Sequence, residues 1–475
     1  MTLDNSLDKK QESSQQKINV ALFLINRQFI RSWIESGLID KLEATGAVKF
    51  TIFAQDDVYE KLPEESKKIS TSIGTVSPSR YSRHMVAMGL VESAKKSSTF
   101  QFRIERQFLP ETWFIPKGQS KRQSMLWFIK SLKRTIRSSV QNRWTILYMI
   151  DPIRRLLNLY LSKSDSTNSL PKEIRHGGFD WLILPTASAH GLITDFLRAS
   201  RIHGLKTLVA IDNWDQLTGK STFPDKPDYF TVMGRRCVQH AVDIHQCRPQ
   251  SALPFGLPRF DIYRQIEHLC APKAKTKMVI LYCGVALAHS EKYVVDQIAN
   301  AFIDEIMHDK VEIRYRPHPG PLKRYDNYEL KNTSIKSTIY GDITQTAMPR
   351  MDQEFIDTIL EADVIVGAPT TLILEALICK RKVVLDLTTD NFHRTSAGNS
   401  AKKHTHIRDL TDVSTIPRGY SVQELISEIK RVLDDRNDCA HHKIDHLYET
   451  VDPLYSDQLF DFLCFHTDKP IYRVN

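Results

Sequence analysis

Short apolar runs separated by amphipathic stretches recur along the chain, in two successive series. The first opens with "INVALFLI", a strand pattern, then "FIRSWIESGLIDKLEAT", read as one helix, and "VKFTIFA", a second strand. It resumes with "FDWLILPT" as a strand, "SAHGLITDFLRASRIHG" as a helix closed by Gly204, and "KTLVAID" as a strand. "YFTVMG", a helix around Cys237 and "ALPFG" continue it. The second series begins at Met278 with "MVILYCG", a helix capped by Ser290, and "VEIRYR". It continues through "SIKSTIYG", the helix "DQEFIDTILEA", "DVIVGA", the helix "TTLILEALI", "KVVLDL" and the amphipathic helix "SVQELISEIKRVLDD". Helices between β-branched apolar strands imply parallel sheets covered on both faces. The expected fold class is therefore α/β, two Rossmann-like doubly wound domains facing a cleft, with ligands at the carboxyl ends of the strands.

The pattern sets the expected boundaries. Residues 1–16 are a polar, disordered tail. Residues 17–262 form the first domain, with a basic helical insertion at about 117–155. Residues 263–276 are a linker, residues 277–440 the second domain, and residues 441–475 a tail that packs back toward the first.

Composition narrows the class. The 475 residues are 41% hydrophobic and 25% charged, ordinary values for a globular enzyme. The longest apolar runs, such as "WTILYMI", are far too short to span a bilayer. The polar N-terminus shows no secretory signal, and seven cysteines without a CxxC pair argue against a disulfide framework; a cytoplasmic location is expected. Cys237, His240, His245 and Cys247 are notional metal ligands, but His245 points away from the helical face that Cys237 and His240 share, so no metal is expected.

Charge is concentrated. Residues 117–155 hold ten Lys or Arg against one acid, Asp151, which equals the +9 of the whole chain. Within them Phe128, Leu132, Ile136 and Val140 recur every four residues between basic positions, a basic amphipathic helix. Such a helix is either a solvated face over a core or a contact for an anionic membrane surface, the latter making the protein peripheral at the inner face of the cell membrane. No nucleic-acid motif accompanies the charge.

Three stretches carry candidate chemistry. In "RYRPHPG" the strand places Arg316 and His318 at its end, where both can donate to phosphate oxygens. In "GAPTTLILEAL" Thr370 or Thr371 caps a helix whose free amides attract a diphosphate, and Glu375 shares the face of Thr371, where a carboxylate can accept ribose hydroxyls. In "AIDNWDQLTGKS" Asp212 or Asp215 is placed to act as general base toward an acceptor hydroxyl, with Trp214 beside them and Lys220 contacting phosphate. His190 and Arg27, both just past strands, are further candidates, and Gly284 at the end of "MVILYCG" joins the donor-binding set. Plainer explanations of the same stretches are a proline turn around a hydrogen-bonded core histidine, threonines that merely cap, and an Asx-turn loop.

"IDNWDQLTGK" followed by "GLPRFD", "RYRPHPG" and "ADVIVGAPTTLILEALICKRKVVL" together resemble the GT-B-type transferases of bacterial surface and capsular polysaccharides, a group of glycosyltransferases and CDP-glycerol glycerophosphotransferase-like proteins. The resemblance spans roughly residues 206–387; the first 200 residues share only the general pattern. It implies a metal-independent glycosyltransferase without cofactor, whose partners are a nucleotide-sugar donor and a cell-surface glycan or lipid-linked acceptor. By that carry-over Arg316 and His318 contact the donor diphosphate, Thr370 and Thr371 bind phosphate, and Glu375 holds the ribose. Glycerophosphotransferases usually carry an Asp-Tyr-Ser-Ser-like run where this chain has "GAPTT", which weighs against a glycerol phosphate donor. A nucleotide-sugar 2-epimerase, which also pairs two Rossmann-like domains, and a non-catalytic partner in glycan assembly are competing expectations for the same pattern.

Overall fold

The computed structural model describes residues 17–108, 125, 129, 148, 150–161, 170–186, 188, 190–266, 277–302, 310–318, 329–337, 353–390, 392–435, 444, 446–448 and 453–467. Two all-parallel sheets organise them. The first contains β1 (Ile18–Leu24), β2 (Val48–Ala54), β3 (Ser70–Ser72), β4 (Trp181–Thr186), β5 (Lys206–Ile211), β6 (Tyr229–Thr231) and β7 (Ala252–Leu253), in the order β3-β2-β1-β4-β5-β6-β7. The second contains β8 (Met278–Cys283), β9 (Val311–Arg316), β10 (Lys336–Ser337), β11 (Val364–Gly367), β12 (Val383–Asp386) and β13 (Arg418–Gly419), in the order β10-β9-β8-β11-β12-β13. Each sheet winds outward in both directions from its first strand. Each therefore has one switch point, between β1 and β4 and between β8 and β11, where neighbouring connections diverge and leave a crevice. Every residue of β4, β11 and β12 is buried, as strands covered on both faces require.

The expected pair of doubly wound domains is present, and local departures have physical reasons. The stretch after β1 is two elements. Gly37 takes a left-handed φ of 72°, which ends a wide helical turn at Ile30–Glu35 and starts a separate helix at Leu38–Glu43. The stretch after β7 begins as a helix, Asp261–Ile266, while residues 267–276 lie outside the described set, as do Phe128, Leu132, Ile136 and Val140 of the basic segment. Helix Tyr455–Phe465 packs Tyr455, Leu459, Phe460 and Leu463 against β1, β2 and β4, and Trp181 Nε1 donates to Thr467 Oγ1 (3.0 Å). One buried apolar cluster runs from Leu182, Val209 and Phe230 of the first sheet to Leu281, Ile365 and Leu385 of the second. The two domains thus share a buried apolar cluster, with the loops at their strand ends brought together.

Candidate functional site

On the second domain the switch point is built by two glycines. A Cβ on Gly284 would lie 2.8 and 2.9 Å from the Glu291 carboxylate oxygens and 3.0 Å from the His318 amide; one on Gly367 would lie 2.7 Å from the Cys283 carbonyl. Only glycine lets β8, β11 and the loop after β9 approach this closely. Helix Thr371–Ile378 starts here. Thr370 occupies its N-cap position, yet the hydroxyl makes no capping bond, and Oγ1 is buried without a hydrogen-bond partner among the described residues. Thr371 Oγ1 reaches across the boundary and donates to Asn213 Oδ1 (3.0 Å). The threonines therefore leave the first-turn amides to another acceptor.

Glu375 is buried one turn further on. The Tyr263 hydroxyl donates to its carboxylate, and the charges of Arg259, Arg31 and Arg316 act on it; burial nevertheless prevails and raises its pKa above the usual carboxylate value. Arg316, at the end of β9, is buried, and His318 two residues on is half-buried. Burial, then the positive charges of Arg316 and Lys220, lower the His318 pKa to about 4, so the imidazole is neutral at pH 7. An anion among these groups would reverse the electrostatic part of that shift.

The first domain contributes the loop after β5. Asp212 Oδ1 accepts from Ser32 Oγ (3.0 Å) and pairs with Arg259 Nη1 (3.0 Å), which also donates to the Asp212 carbonyl (2.6 Å). Its carboxylate is thereby committed to holding Arg259 and Ser32, although burial raises its pKa overall. Asp215 differs: Oδ2 pairs with Lys220 Nζ (2.6 Å), while Oδ1 is buried with no hydrogen-bond partner among the described residues. The indole of Trp214 is buried and meets the His406 ring edge-on at 5.0 Å, so in this conformation it packs the domain boundary and presents no face to an acceptor. His190 caps helix Gly191–Ile202, its Nδ1 accepting from the Leu192 amide (3.3 Å), and burial keeps it neutral. Arg27 Nε donates to the Asp57 carbonyl (3.1 Å), toward the loop after β2.

The structure thus brings Arg316, His318, Thr371, Glu375, Asp212, Asp215 and Lys220 to one boundary, with Gly284 and Thr370 at its edge and His190 and Arg27 engaged elsewhere. Four residues that the sequence pattern did not single out complete it: Arg31 and Ser32 from the wide turn after β1, and Arg259 and Tyr263 from the segment after β7. Arg259 lies within the "GLPRFD" stretch, a basic residue between a proline and an aromatic that was the available signal. Four cations, Arg31, Arg259, Arg316 and Lys220, face three carboxylates, Asp212, Asp215 and Glu375, which biases the site toward anions. Cys237, His240, His245 and Cys247 turn to separate partners: Sγ of Cys237 to the Trp214 carbonyl, His240 to Asp409 (3.0 Å), His245 Nε2 to the Leu217 carbonyl (2.6 Å), and Sγ of Cys247 to the His245 carbonyl.

Two buried histidines around this boundary give a stability prediction. Burial lowers His245 and His404 to about 4, and both donate to carbonyls as neutral rings, to Leu217 and Ser400 respectively. The unfolded chain binds their protons near pH 6.5, the folded chain only near 4, so their stabilisation is complete above 6.5 and is lost as pH falls toward 4. Each contributes on the order of 2 kcal/mol of pH dependence. Raised carboxylates such as Asp212 and Glu375 act in the opposite direction, so the measurable quantity is a difference: urea midpoints of His245→Gln should fall less steeply than wild type from about pH 6.5 to about 4.5. Parallel slopes would show that His245 titrates normally.

No protein-family model matches the sequence, and no curated protein matches it significantly. Solved structures do resemble it. The candidate UDP-N-acetylglucosamine 2-epimerase of Listeria monocytogenes superposes with a TM-score of 0.51 at 11% identity, covering 97% of this chain and 100% of that one. MnaA of S. aureus, solved with UDP, gives 0.47 at 11% identity over 94% of this chain and 96% of that one. UGT89C1 of Arabidopsis thaliana, complexed with UDP, gives 0.42 at 11% identity over 94% and 100%. At such identity the likeness is one of fold. The chain has the GT-B-type arrangement of two facing Rossmann-like domains.

Proposed function

We propose that this chain is a nucleotide-sugar enzyme, specifically a glycosyltransferase that moves a sugar from a nucleotide-activated donor to a cell-surface glycan or lipid-linked acceptor in the cytoplasm. The observation that carries the reading is the meeting, across the domain boundary, of the donor half with a loop that holds two differently engaged carboxylates, at a site where cations of both domains outnumber the carboxylates. The donor diphosphate lies over the start of helix Thr371–Ile378, where Thr370 Oγ1 lacks a hydrogen-bond partner among the described residues, beside Arg316 and His318. The ribose hydroxyls donate to Glu375, whose two oxygens have lone pairs enough to keep Tyr263 as well.

In the transfer step the acceptor hydroxyl oxygen bonds to the anomeric carbon and the bond from that carbon to the donor phosphate breaks. The electron pair leaves with the diphosphate, and the hydroxyl proton passes to a carboxylate. Asp215 is the base in this reading, because Oδ1 has no hydrogen bond among the described residues, whereas Asp212 is held by Ser32 and Arg259 and acts as a positioning residue. Closure of the boundary excludes water from the reaction.

The 2-epimerase reading uses the same donor half and needs no acceptor, and the full-length superposition on the Listeria monocytogenes protein is what recommends it. Calorimetry across nucleotide sugars and CDP-glycerol, followed by product analysis with and without acceptor, separates the readings. Glycosyl transfer appears only with acceptor; an epimer formed without one overturns it in favour of the epimerase, and CDP-glycerol turnover in favour of the glycerophosphotransferase. Donor affinity should fall by about 1.5–3 kcal/mol in Glu375→Gln, the range for a hydrogen bond to a charged group. A 2′-deoxyribose donor should lose little more with that variant, since the same contact is removed twice. Additive losses would place Glu375 away from the ribose.

A further inference from the structure

The loop after β5 is held from two sides. Its later part is fixed within the first domain: His245 Nε2 donates to the Leu217 carbonyl (2.6 Å), Ser97 Oγ to the Thr218 carbonyl (2.6 Å), and Arg103 Nη1 to the carbonyls of Gly219 (2.7 Å) and Lys220 (2.8 Å). Its earlier part, Asn213–Asp215, leans on the second domain. Thr371 Oγ1 donates to Asn213 Oδ1 (3.0 Å), the His406 ring meets the Trp214 indole edge-on at 5.0 Å, and His406 Nδ1 lies 2.8 Å from Thr218 Oγ1. The first domain adds the long contact of the Cys237 thiol to the Trp214 carbonyl (3.9 Å).

Helix Thr405–Thr411 brings His406 to this loop from between β12 and β13. The helix is itself docked on the first domain: the Thr405 amide donates to Thr99 Oγ1 (2.7 Å), and Asp409 pairs with Arg236 (2.7 Å). The histidine therefore reaches Thr218 only when the domains meet. His406 is buried, and burial, then the charges of His404, Lys220 and His240, lower its pKa well below the usual imidazole value, so the ring is neutral. A hydroxyl has one proton to give. Thr218 donates it to the Asp215 carbonyl (3.1 Å), so Thr218 accepts from His406, and the ring proton is on Nδ1. A continuous path of hydrogen bonds thus runs from the imidazole through the Thr218 hydroxyl to the main chain of Asp215.

We infer that His406 is a positioning residue: through Thr218 it sets the segment Asn213–Asp215, so that Asp215 is aligned for proton transfer only while the two domains are docked. The role of Asp215 as base rests on the glycosyltransferase reading; the placement of its loop by His406 does not, and the two are measured separately. Hydrogen exchange of the full chain, followed by mass spectrometry, reports on the loop, while turnover and calorimetric donor affinity report on the reaction. His406→Phe keeps a ring against Trp214 and removes the donor, Thr218→Val removes the acceptor, and His406→Asn puts an amide N–H near the Nδ1 position. The phenylalanine and valine variants should each raise exchange at residues 213–218 about tenfold, and the double variant no further, with strand Lys206–Ile211 as protected as before. Turnover should fall about tenfold or more in both, at a donor affinity within about twofold of wild type, and His406→Asn should recover most of both losses. Unchanged loop exchange in both variants, or a loosened loop with full turnover, would overturn the inference. So would a joint loss of melting temperature and donor affinity that asparagine does not rescue, which marks a merely structural contact. If the loop responds as expected while wild type and variants alike transfer no sugar, the placement by His406 stands and the glycosyltransferase reading falls.

Discussion

Arg259→Met should lower the stability of the protein by about 3–5 kcal/mol at about pH 8, the range for removing one partner of a buried ion pair. The pair is enclosed on both sides, with Arg259 12% and Asp212 14% exposed, and the guanidinium holds both the carboxylate and the main-chain carbonyl of Asp212. Methionine keeps the stem and its packing, so the loss is electrostatic. It leaves Asp212 with Ser32 and removes a cation that also acts on Glu375. Burial already raises the Asp212 pKa, and without Arg259 it rises further. A carboxyl whose folded pKa is raised carries its penalty at high pH and sheds it as pH falls and it protonates, so the defect should shrink toward about pH 5. Asp212→Asn/Arg259→Met should recover most of the loss at the higher pH. Urea midpoints of the three proteins at the two pH values decide the matter, and a single variant as stable as wild type at the higher pH would show that the pair is dispensable.

That pair also shows where sequence reading ends. The two series of strands were legible because each strand is a short apolar run punctuated by turn residues, and both doubly wound sheets follow from them. Gly284 was legible at a strand end, and Thr370, Thr371 and Glu375 stood out as polar positions in an otherwise apolar helix. The partners of those residues were not legible. Ser32 and Asp212 are 180 residues apart and meet only because β1 and β5 belong to one sheet. Arg31 sits in a wide helical turn inside a stretch whose periodicity is that of one helix, and the break at Gly37 leaves that periodicity unchanged. Trp214 looked like a loop aromatic, but its ring lies in the boundary against His406, and no local pattern carries the position of the other domain.

Asp212 and Asp215 are alike in local sequence, and the proposed reaction separates them by the largest effect. Asp215→Asn should reduce turnover by about 10²–10⁴-fold, the contribution of a positioned general base, with donor affinity measured by calorimetry nearly unchanged. The amide keeps the size of the side chain and its contact with Lys220, now without charge, but has no lone pair of comparable basicity for the acceptor proton. The double variant Asp215→Asn/Lys220→Met guards against a merely structural defect. If Asp215 serves only to hold Lys220 over a phosphate, the two losses overlap and appear in donor affinity; if it takes the proton, the loss stays in turnover. Asp212→Asn should instead disturb Arg259 and show itself in stability and affinity before turnover. Full turnover in Asp215→Asn, with the loss in Asp212→Asn, would reverse the two roles and move the base to the carboxylate beside Arg259.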